Sequence, residues 1–122
     1  MKALSAVALG GSLGALLRYS FYLITPFFNL PKFSGTIIAN TLGCFLIGYV
    51  HGRGFLSSLG AKFLIIGFLG SLTTFSTFQW EGFILLEKSL ILSFSYFIGS
   101  MILGFALLVL GFSLGGGKLT WI

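Results

Sequence analysis

The residues with chemistry to offer crowd into one stretch of an otherwise apolar segment. Gly70, Ser71, Thr73, Thr74, Ser76 and Thr77 replace the Leu and Val that a spanning helix would carry, and Phe75 and Phe78 close the stretch three positions apart. Glycine weakens a helix, and Ser and Thr side chains offer the backbone an alternative to the i→i+4 ladder. A helix broken at membrane depth frees carbonyls able to coordinate a cation. The other reading keeps the helix intact, with the hydroxyls bonded back to preceding carbonyls. Phe75 and Phe78, at i and i+3, fall on one helical face. An aromatic ring has a negative face and a positive edge, so an edge turned to a pore favours an anion; the plainer reading is a pair of lipid-facing or core rings.

Other polar residues lie along the apolar segments, some at mid-depth and some near the ends. Asn40 lies mid-segment, with Thr36 one turn before it. An amide there is costly unless it pairs with a neighbouring helix or faces an ion path. Arg18 either snorkels to the interface or supplies positive potential at a vestibule. Tyr96 and Ser100, at i and i+4, form a polar strip or ordinary helix contacts. Glu81 continues the Phe75–Phe78 face, and its role is open. Cys44 is the lone cysteine, so it reads as small apolar packing, and His51 is near a helix end.

These residues need elements to hold them, and the composition says which. The 122 residues are 57% hydrophobic and only 7% charged, whereas a soluble domain carries about 25% charged residues. The chain reads as one all-α integral membrane domain, residues 1–122. Four apolar segments are long enough to span: about 3–24, 34–50, 61–86 and 90–114. Pro26, Asn29 and Pro31 punctuate the first loop, and Gly115–Gly117 open the tail, where Trp121 suits an interface. The start, Lys2 and then an apolar run, has the look of a signal peptide. The run continues through Arg18-Tyr19, so it reads as the first span.

The net charge of +5 is scattered at segment ends, which excludes a nucleic-acid surface. There is no Asp, with one His and one Cys, and so no enzyme constellation. Gly10–Gly14 lacks the strand and lysine of a phosphate loop. Lys2, Arg53, Lys62 and Lys118 fall on one side and Lys32 and Lys88 on the other. That bias is small enough to allow insertion both ways and an antiparallel dimer. Four helices enclose little, which points to a homo-oligomer, and Gly10/Gly14 and Ser100/Gly104 are small-residue pairs suited to close helix packing.

The chain resembles the Fluc (CrcB-type) fluoride channel family. Gly10–Tyr19 is similar to its GGxxGAxxRY start, Gly35–Gly48 to its GTxxxNxxGxFxxG segment, and Gly70–Phe78 with Glu81 to its GxxTTFSTFxxE. Tyr96, Ser100, Gly104 and Gly111 fit the fourth segment less specifically. The resemblance implies an antiparallel, dual-topology homodimer whose third helix is broken mid-membrane. It implies a fluoride pathway lined by the Phe75 and Phe78 edges, with Asn40, Thr36 and Ser76 as donors, Tyr96 and Ser100 extending a polar track, and Arg18 at the vestibule. It implies one structural sodium ion, held at the dimer centre by the carbonyls of Gly70 and Thr73 of both subunits. Ser71 and Gln79 depart from the family's usual Gly and Ser. The partners implied are a second copy, fluoride and membrane lipid, with no nucleic acid. Two alternatives remain: a proton-coupled small multidrug exporter, for which Glu81 is the sole candidate carboxylate, and a non-transporting membrane scaffold.

Overall fold

The structure is a computed structural model that describes residues 1–54 and 56–118, so Trp121 lies outside the described residues. It is all-helical among those residues, with four stretches long and apolar enough to cross a membrane. Helix α1 (Lys2–Ile24) runs into a tight 3₁₀ turn over Thr25–Phe28, with Pro26 in its first turn. Asn29 closes that turn in the left-handed conformation, φ 57°, which Asn tolerates better than most residues. Helix α2 (Phe33–Arg53) stops at Gly54, which is also left-handed.

The third crossing is two helices in series. Helix α3, residues 58–72, is capped by Ser57, whose Oγ accepts from the Gly60 amide at 3.0 Å. Its middle, Lys62–Leu69, winds as a π-helix, a local form often found at functional sites. Helix α4 (Phe75–Lys88) starts after Thr73 and Thr74, both extended. The sequence allowed either a break near Gly70–Thr74 or an intact helix; the chain is broken, at Thr73–Thr74. Helix α5 (Leu90–Leu114) follows at once, capped by Ser89.

Glycines set the packing. A Cβ at Gly10 or Gly14 would run into the Phe63 or Phe68 carbonyl of α3, so this small-residue pair serves α1–α3 contact within one chain. The other extensive seam is α2 on α5, where Gly48 faces the Leu108 carbonyl and Gly111 faces that of Phe45. Gly104 of the second pair lies against Cys44 Sγ in the same seam. Backbones this close compensate for the weak hydrophobic drive between helices in lipid. Ala39, Leu69 and Leu72 form one core around the break; Phe78, Leu85 and Tyr96 form another. Many large apolar side chains on α1, α4 and α5 face outward, as lipid or a second copy requires.

Candidate functional site

The break is held open by a side chain from another helix. The Thr74 N–H donates to Asn40 Oδ1 at 2.8 Å, and Asn40 Nδ2 donates to the Thr74 carbonyl at 3.2 Å. Asn40 thereby stands in for a neighbouring peptide group, and the paired bonds fix its amide orientation. Buried backbone groups demand such partners. Thr74 also caps α4, its Oγ1 accepting from the Thr77 amide at 3.3 Å. Thr73 Oγ1 donates back to the Leu69 carbonyl at 3.0 Å.

This arrangement diverts the amides that would close two carbonyls in an unbroken helix. Thr74 N–H, the i+4 partner of the Gly70 carbonyl, goes to Asn40; Thr77 N–H, that of Thr73, goes to the Thr74 hydroxyl. These are the two carbonyls to which the family resemblance assigns a cation. Gly70 and Thr73 both line a groove of about 470 Å³ shared with Asn40, Phe75, Phe78 and Ser100. Ser100 Oγ is buried with no hydrogen-bond partner among the described residues.

The two phenylalanines differ more than their spacing suggests. Phe78 is 9% exposed and Phe75 is 73% exposed. Phe78 packs on Tyr96 at a 5.0 Å centroid distance and meets Phe97 edge-on, also at 5.0 Å. Both rings border the same groove, but the chain encloses only one. Ser76 is exposed, its Oγ 3.5 Å from Thr74 Oγ1. Arg18 is half-buried on α1 and lines neither this groove nor the one described next.

Glu81 is the residue that sequence reasoning left without a role. Thr36 Oγ1 donates to its Oε1 at 2.9 Å, and Tyr96 OH donates to its Oε2 at 2.7 Å. Two of the four hydroxyls expected to face an ion, those of Thr36 and Tyr96, thus converge on one carboxylate, joining α2, α4 and α5. Glu81's place on the Phe78 face was legible as a spacing. Its partners, 45 and 15 positions away, were not. Glu81 and Thr77 also line a second groove, of about 570 Å³, which runs to Lys32 and Lys88.

Comparison with known proteins decides the family. The profile of the family described as CrcB-like protein, Camphor Resistance (CrcB), matches residues 5–112. The chain belongs to this family. Among its CrcB-like relatives, the chain is 43% identical over 114 residues to the fluoride-specific ion channel FluC 2 of Staphylococcus saprophyticus, covering 89% of this chain and 93% of that one. It is 43% identical over 93 residues to the fluoride-specific ion channel FluC of Methanococcus maripaludis, covering 73% and 75%. With FluC of Shewanella frigidimarina it shares 51% identity over 89 residues, covering 69% and 71%. Every residue of the site, from Arg18 to Ser100, falls inside the stretch matched by the CrcB-like profile. With its four spans, this CrcB-like chain is a multi-pass membrane protein.

Proposed function

We propose that this protein is a fluoride-selective passive channel that lets cytoplasmic fluoride leave the cell across the inner membrane, relieving its toxicity. Two things support the reading: its CrcB-like relatives are named fluoride-specific channels, and the groove beside the break holds donors for a small anion. The observation that carries it is the convergence of the Asn40 amide, the Phe78 ring and the unpartnered Ser100 hydroxyl on that groove. Fluoride is small and strongly hydrated, so a pore must replace its water with donors and positive edges. Asn40 Nδ2 carries two protons. One goes to Thr74, and the other is available to an ion without opening the break. Further along, fluoride and the Glu81 carboxylate compete for the same Thr36 and Tyr96 protons, so the ion advances by taking a donor from Glu81.

No covalent step and no energy source are needed. Hydrogen fluoride crosses bilayers as a neutral weak acid and dissociates inside, and an interior-negative potential drives the trapped anion out.

The working unit in this reading is an antiparallel, dual-topology homodimer. The outward Phe75 ring supports it, because a second copy would cover that ring and complete the wall opposite Phe78. A structural sodium ion fits the chemistry of the break, since the carbonyls of Gly70 and Thr73 have lost their helical partners and would hold it jointly with those of the partner subunit.

Purified protein in liposomes tests the function. A fluoride gradient is expected to collapse once a counter-ion path is provided, while chloride moves far more slowly. A folded preparation that passes no fluoride, or passes both halides alike, overturns the reading.

A further inference from the structure

The second groove poses a question that the first does not. Its rim carries Lys32, Lys88, Tyr22 and Trp80, and its floor includes Glu81. It follows one face of α4, since Thr77, Glu81, Leu85 and Lys88 recur at helical spacing. That face starts one turn from the break, where Thr74 Oγ1 donates to Thr77 Oγ1 at 3.1 Å. At 1.5 Å of rise per residue, Thr77 to Lys88 covers roughly 16 Å, about half of a bilayer's hydrocarbon core.

Lysines at helix ends are ordinary interfacial residues, and Lys88, in the last turn of α4, sits where the helix dipole favours a cation. Lys32 sits where the dipole opposes one. It occupies the N-cap of α2, whose first turn contains no acidic residue. Lys32 is exposed, and its Nζ lies over the Tyr22 ring, 5.3 Å from the centroid, a contact that favours keeping the ammonium at the rim. A cation beside the positive end of a 21-residue helix is repulsive for the protein alone and attractive for an anion. The Glu81 carboxylate on the floor opposes an anion, and the hydroxyl hydrogen bond accepted by each of its oxygens only weakens that opposition, so the lysines must outweigh it.

We propose that this groove is the second mouth of the fluoride pathway, with Lys32 and Lys88 concentrating the anion where it passes between the Glu81 cluster and bulk water. The assignment rests on the channel reading and adds to it the residues that set the ion's local concentration. A low-dielectric groove rimmed by one sign of charge focuses the field and raises local ion concentration.

The test is initial fluoride efflux from zwitterionic vesicles, compared for the wild type, the double variant Lys32→Gln/Lys88→Gln and the charge-keeping pair Lys32→Arg/Lys88→Arg. At ionic strength of ~10 mM, set with an impermeant salt, the glutamine pair is expected to be slower by about threefold or more, with the arginine pair near wild type. At ~1 M the gap closes, because the Debye length falls to about 3 Å. Equal rates for the wild type and the glutamine pair at low salt overturn the mouth and leave the channel standing. A deficit that appears only when anionic lipid is present also overturns it, and assigns the lysines to lipid headgroups. A wild type without fluoride flux removes the channel reading and the mouth together.

Discussion

Replacing Asn40 by alanine strips the Thr74 amide and carbonyl of the side-chain partner they share. Each buried unsatisfied group costs about 1–3 kcal/mol, so Asn40→Ala is expected to lose on the order of 2–4 kcal/mol and to unfold earlier in a detergent melt. Asn40→Asp keeps the acceptor for the Thr74 N–H but, ionised, cannot donate to the Thr74 carbonyl, so its flux is expected to fall as well. Wild-type stability in Asn40→Ala would show that the break holds itself open. At Glu81, Tyr96→Phe and Thr36→Val each remove one donor from one carboxylate oxygen. Both are expected to cut fluoride efflux. The double variant should lose less than the product of the singles, because the donors act on one group. Independent, multiplicative losses in the efflux assay would argue against a shared role. The sequence marked Thr36, Tyr96 and Glu81 as polar at depth. It did not show that two of them serve the third, because hydrogen-bond partners on different helices leave no spacing to read.

At the scale of elements, α5 contains a built-in control. A Cβ at Gly111 would collide with the Phe45 carbonyl, whereas one at Gly99 meets nothing in the chain. Gly111→Ala must push α2 and α5 apart, and overpacking of this kind costs about 1–3 kcal/mol or more. Gly99→Ala adds helix propensity, worth roughly 0.5–1 kcal/mol, and is expected to hold or raise the melting temperature. A clear loss from Gly99→Ala would place a second copy of the chain on that face. The helix ends follow local rules: Ser57, Thr74 and Ser89 cap the helices that follow them, and Pro26 and Asn29 shape the first turn. Thr74→Ala is expected to cost about 1 kcal/mol through the lost cap. The hydroxyl-rich stretch left an intact helix and a broken one both open. The arrival of Asn40 from α2 favours the break beyond what the Thr74 cap supplies, by giving the unwound peptide the partners that its own helix withdraws.

At the scale of the molecule, the proposed assembly answers what one chain leaves open. Phe75 is outward, and Gly70 and Thr73 line an unclosed groove, so pathway and cation site would both be completed across a two-fold axis. If sodium holds that axis, exchanging it for a large organic cation should lower the melting temperature and the dimer fraction, and sodium alone should restore both. Unchanged melting and assembly after thorough exchange would remove the sodium site while leaving fluoride flux to be judged separately.

Much of this protein follows from local sequence. Apolar length and scarce charge fix four spans, because the bilayer leaves helices of that length as the economical way to satisfy a backbone. The motifs around Gly10, Asn40 and Gly70–Glu81 mark the family, since they place polar residues where lipid tolerates them only for a reason. Tertiary structure decided the rest. It chose the broken form of the third crossing through Asn40, separated buried Phe78 from outward Phe75, and gathered Thr36 and Tyr96 onto Glu81. It also brought Lys32, at the N-cap of α2, and Lys88, in the last turn of α4, to one groove. Each of these depends on which faces of distant helices meet, and that is set by close backbone approach at Gly10, Gly14, Gly48 and Gly111, a property of pairs of helices and not of any one segment.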